Sequence, residues 1–137
     1  MLKEKELWLV LEPAEDIPGQ WTGHCLDLDI VSQGASLQHA LQMTFEAVLL
    51  TVADDLEAAR DPFARRSAPD QDWEHLTKIL REGHRGALPE STASVVVATQ
   101  MRLSVRMDSA ASEPLVQQIA PAWLIEPAEA AAHSSPN

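Results

Sequence analysis

From Glu6 to Ala59 the chain has no lysine or arginine, while the same stretch holds ten carboxylates. Affinity for nucleic acid depends on cations meeting phosphates, so this segment should repel nucleic acid and attract a basic protein. A merely solubilising acidic surface explains the charge equally well. From Arg60 to Met107 eight basic residues stand against six acidic ones, so the net charge of −11 belongs almost entirely to the first part. There is one cysteine, Cys25, so no internal disulfide can form, which fits a reducing compartment. No apolar run approaches the roughly 20 residues that span a bilayer, and the N-terminus has neither the apolar stretch nor the cleavage site of a secretory signal. The expectation is a cytoplasmic protein with no membrane association.

Within those limits the 137 residues suit a single core, with 45% hydrophobic and 23% charged residues. Leu7 to Leu11, "LWLVL", is a short apolar run closed by Glu12 and Pro13, as in a buried strand. Pro18 and Gly19 supply a chain reversal, after which "QWTGHC" returns antiparallel and "DIVS" forms a third strand. Gly34 is expected to take a positive φ where that strand ends. Ser36 then caps a helix whose apolar stripe is Leu37, Leu41, Phe45, Val48, Val52 and Leu56. Asp54, Asp55 and Glu57 sit at the unfavourable end of the helix dipole, which leaves that end to fray or to find a basic neighbour such as Arg60.

"RDPFARRSAPDQ" reads as a linker. Asp70 or Asp72 is expected to cap a second helix, with Trp73, Leu76, Ile79 and Leu80 inside and Gly83 as its stop. "HRGALPEST" reads as a loop. Beyond it, Val95, Val97, Thr99, Met101, Leu103, Val105 and Met107 alternate with polar residues in a long half-buried strand. The end, "EPAEAAAHSSPN", is expected to be mobile.

His24, Cys25, Asp27 and Asp29 invite a metal or catalytic reading. On an extended strand His24 faces away from the other three, so they should not converge on one ion. The chain has no CxxC, HExxH or two-histidine helix spacing, and a zinc site would need His39, His75 or His84 through the fold. Cys25 reads as a small buried hydrophobe, and Ser32 and Ser36 lack a nucleophile setting. No catalytic residue, metal ligand or cofactor is expected.

The stretch "GQWTGHCLDLDIVSQGASLQHALQMTFEAV", preceded by "LWLVLEP", resembles the HicB family of bacterial antitoxins. The shared pattern is an aromatic in the second strand, an acid before a leucine, and a Ser-Gln-Gly turn into a helix opening with Leu and Ala. Asp27, Leu28, Gln33, Gly34, Leu37, Ala40 and Leu41 carry it, and the likeness spans residues 7–57. It implies a partial double-stranded-RNA-binding-like fold, a three-stranded sheet crossed by a helix, that binds protein. It further implies an oligomer that covers a small basic ribonuclease toxin, in many members with a C-terminal DNA-binding module.

The expected architecture is α+β: an antiparallel sheet of three to four strands with a long helix on one face, plus a second helix and a long C-terminal strand. Residues 1–107 form one domain, a HicB-like half over 7–57 joined to 58–107, and 108–137 form a largely flexible extension. The expected function is a non-enzymatic homodimer that neutralises a small basic partner, an RNase toxin, through Glu15, Asp16, Asp27, Asp29 and Glu46, with Trp21 as an aromatic anchor. Nucleic acid is not expected on residues 6–59. One alternative is a ribbon-type DNA-binding autorepressor using Arg102 and Arg106, although Pro114 and Pro121 interrupt the helix such a unit needs. The other is a structural homo-oligomer without a toxin.

Overall fold

A computed structural model of the chain describes residues 2–87, 95–106 and 114–125. The described elements run β1 (Leu2–Pro13), β2 (Trp21–Cys25), β3 (Ile30–Gly34), α1 (Leu37–Glu57), a 3₁₀ turn at Pro62–Ala64, α2 (Asp70–Glu82), β4 (His84–Gly86), β5 (Val96–Arg106) and β6 (Leu115–Ile125). The six strands form one antiparallel sheet in the order β3-β2-β1-β5-β6-β4. The α+β class and the long helix on one face are as expected; the sheet is wider than three to four strands.

Alternation along the strands divides the apolar residues between the two faces. Leu7, Leu9 and Leu11 of β1, with Trp21 and Cys25 of β2 and Val97, Met101, Leu103 and Val105 of β5, meet Leu37, Leu41, Val48 and Val52 of α1. Val10, Val96, Ala98 and Ile125 point the other way and pack with Leu76 and Ile79 of α2. Burial of such aliphatic side chains contributes about 1.5–3 kcal/mol each, so the two helices hold the sheet between them. Val96 and Ala98 are buried as well as their alternating neighbours because α2 covers that end of β5.

Several local readings hold in detail. The Ser36 hydroxyl accepts the His39 N–H at 3.0 Å, capping α1. Gly19 has φ +80 after Pro18, and the Gln20 N–H reaches the Ile17 carbonyl at 3.2 Å, closing the β1–β2 turn.

Others are corrected. Gly34 is not among the positive-φ residues; a Cβ there would lie 2.7 Å from the Ala40 Cα and from the His39 carbonyl carbon, so the glycine is required by the approach of α1 to β3. Asp70 and Asp72 do not cap α2. Its N-cap is Pro69, and the two acids lie in the first turn, where the helix dipole favours them. The expected loop after Gly83 contains β4, whose three residues pair with β6.

Part of the expected flexible extension beyond residue 107 is likewise strand: Leu115–Ile125 pairs with β5. Around Pro121 the register slips, Ala98 facing Trp123 while Gln100 faces Ile119. Proline has no N–H to give a ladder, and a bulge is where a sheet tolerates it. The expected mobile tail over 126–137 and the end of the β5 pattern at Met107 lie outside the described residues.

Candidate functional site

The acidic candidates occupy three elements. Glu15 and Asp16 are exposed in the β1–β2 turn, which is pinned by the Ala14 N–H donating to the Gln20 carbonyl at 2.7 Å. At the opposite end of β2, residues 26–29 make a second tight turn between Leu26 and Leu28, both buried. Asp27 and Asp29 belong to it. Glu46 is exposed midway along α1, and Gln42 Nε2 donates to its carboxylate at 3.5 Å. The five-residue β2 separates the two acidic turns by roughly 13 Å, so the set lines two ends and one helix and is not a single cluster.

The turn at 26–29 corrects the expectation of one extended strand. Because β2 stops at Cys25, Asp29 bends back with φ +51 and its Oδ1 lies 2.8 Å from His24 Nε2, so the histidine thought to face away is a partner. Asp27 is half-buried, and its Oδ2 accepts the Trp8 N–H at 2.6 Å. Loss of water raises its carboxyl above the ordinary value, partly opposed by the Trp8 N–H and by Lys5. Asp27 therefore ties the turn to β1, while Asp29 is the more exposed of the two acids.

Trp21, expected as an exposed anchor, is 5% exposed and faces α1. It sits opposite Gly34 in the β2–β3 register, where the absent glycine side chain leaves space for the approaching helix. Its aromatic area belongs to the core.

Cys25 is fully buried, and burial pushes its thiol up to about 12, so it stays protonated and unreactive at neutral pH. No three of His, Cys, Asp and Glu gather at ligand spacing among the described residues. No described helix is long and apolar enough to cross a membrane.

Arg102 lies on β5 in the interior of the sheet and meets Glu6 at 3.4 Å and Glu4 at 3.8 Å across the β1 ladder. Arg106 is exposed at the end of the same strand. A DNA-reading ribbon presents its arginines on a strand free to enter a groove. Here β5 has a neighbour on each side.

Three features were missed by the sequence reading. Asp55 is buried, its carboxylate held by Arg60 Nε at 3.1 Å and Arg65 Nη1 at 3.4 Å; Arg60 was foreseen as a neighbour, the burial was not. Leu50 is 68% exposed on α1 and Val31 56% exposed on β3. Leu50 falls off the helical stripe, which is a readable signal, whereas the exposure of Val31 depends on β3 being outermost. Comparison with protein-family models, with curated proteins and with solved structures found no match.

Proposed function

We propose that this chain is a non-enzymatic, HicB-like protein-binding module whose acidic half receives a small basic protein, a ribonuclease toxin being the partner that the resemblance implies. One observation carries the reading: the stretch without lysine or arginine folds as a contiguous half, strands β3, β2 and most of β1 with α1 upon them, and Glu15, Asp16, Asp29, Glu46, Asp54 and Glu57 are exposed on it. A toxin made basic to grip RNA would be drawn to that half at a rate set by long-range attraction, and contact would cover the surface it uses for RNA. The buried Cys25 thiol and the structural use of Asp27 supply no chemistry that competes with a binding role. A cytoplasmic homodimer is part of the same proposal, and sedimentation equilibrium reads the oligomer directly.

The test is co-expression with the product of a short basic reading frame beside the gene. The expected result is co-elution that weakens as salt rises from about 0.1 to 1 M, together with loss of the partner's ribonuclease activity. A neighbouring ribonuclease that remains fully active in the presence of a stoichiometric excess of this protein overturns the proposal.

A further inference from the structure

We propose that the outer edge of β3 is a docking site for an extended basic segment of a partner protein, which adds a strand to the sheet beside it. The inference rests on the basic partner proposed above and specifies how that partner is held. β3 is the terminal strand of the sheet, and no described element pairs with its outer side. Sheet edges are normally protected by charges, proline, bulges or a covering element, because their open N–H and C=O groups template another strand. Ile30–Gly34, "IVSQG", has neither charge nor proline, and Val31 exposes 56% of its surface on the face away from α1. The opposite edge differs: β4 has only three residues and carries Arg85.

The electrostatics select the occupant. Asp29 stands at the start of β3, Glu15 and Asp16 lie in the turn beside its other end, and Glu46 is exposed on the helix that packs over it. An incoming strand therefore meets carboxylates at both ends and an apolar side chain between them. The matching sequence alternates basic and apolar residues, with main-chain hydrogen bonds supplying affinity and the alternate side chains supplying selectivity.

The probe is the hexapeptide Lys-Val-Lys-Val-Lys-Val, titrated into the full chain by calorimetry beside its fully N-methylated form and beside Glu-Val-Glu-Val-Glu-Val. Binding of the first, weakened about tenfold or more by N-methylation and absent for the glutamate peptide, is the expected result. Equal binding of the N-methylated peptide overturns strand docking and leaves the attraction for a basic partner standing. No binding of either lysine peptide, or equal binding of the glutamate peptide, overturns both. Val31→Lys, at an exposed position, should weaken the lysine peptide severalfold without changing the melting temperature. Unchanged affinity in that variant places the peptide elsewhere and overturns the docking site.

Discussion

The two faces of the sheet are closed by different means. On one face α1 comes within backbone contact of the strands. A Cβ at Gly34 would strike the backbone of Ala40, and one at Gly23 would lie 3.2 Å from the Ala40 carbonyl oxygen and strike the Thr44 hydroxyl. On the other face α2 is shorter and meets strand backbone at its end, where a Cβ at Gly83 would lie 2.7 Å from the Leu124 carbonyl oxygen; along its length it is held by large side chains, with Trp8, Trp73 and Trp123 half-buried at its margin and the Trp8 and Trp123 rings 5.4 Å apart. His75 on α2 meets Glu12 on β1 at 3.2 Å, and past the helix Glu4, Glu6 and Arg102 lie on partly open sheet. Backbone contact fixes a helix rigidly and tolerates no added atom, whereas packing through long or aromatic side chains leaves room to adjust. The acidic half is built the first way, and it is the half for which binding is proposed.

The sharpest way to break this contrast is one methyl group. Gly34→Ala puts carbon against the first turn of α1, and its expected cost is about 3 kcal/mol in urea denaturation. Gly86→Ala is the control. Its added Cβ comes no closer than 3.4 Å, to a leucine methyl of β6, and it should change stability by less than about 0.5 kcal/mol. Equal effects at the two sites would mean that α1 is not seated by backbone contact.

A smaller loss, roughly 2 kcal/mol, is expected when Arg60→Met and Arg65→Met are combined, because Asp55 would then remain buried without a counterion. Asp55→Asn should cost less, since the two arginine side chains, 63% and 37% exposed, can hydrate. The reverse order would locate the value of the cluster in the arginines themselves. On the other face, Trp73→Ala should cost about 1 kcal/mol, half-buried as the indole is, and should speed amide exchange in α2 while leaving α1 protected. Equal acceleration in both helices would show the two layers opening as one unit.

What the sequence disclosed follows the same division. From β1 to α1 the signals are local: Pro18-Gly19, the Ser36 cap and a helical stripe each act within a few residues and appear where they were read, and the apolar run Leu7–Leu11 lies within β1, which begins earlier, at Leu2, because residues 2–6 pair with β5. In the second part the deciding partners are remote. β4 is a strand only because β6 lies beside it, and β6 slips its register around Pro121, a residue that argues locally against any strand. Among the candidate residues, exposure at Glu15, Asp16 and Glu46 follows from turn and helix position, but the fate of Trp21 was hidden. An aromatic on a strand can face either way until the register sets it opposite Gly34. Asp55 was legible as an acid at a helix end, while its burial depends on the turn that follows folding back with Arg60 and Arg65.

The smallest expected effect concerns Asp27, where the acidic half carries a charge for structural reasons. Its carboxyl is raised in the folded protein by loss of water, so between the ordinary carboxylate value and the raised one the native state binds more protons than the unfolded state. By linkage, this residue's contribution to stability then falls as pH rises through that window, and the full cost is present above it. Asp27→Asn keeps an oxygen to accept the Trp8 N–H and has no charge to dehydrate. At pH 7 the variant should be more stable than the parent, by less than about 1 kcal/mol because the site is partly open to solvent, and the gain should vanish near pH 3, where both states of the parent are protonated. Urea midpoints across that pH range measure it. A variant that is less stable at neutral pH would mean that the charge itself strengthens the bond to β1 by more than its desolvation costs, and Asp27 would then rank with Ser36 among the local ties that hold the acidic half in place.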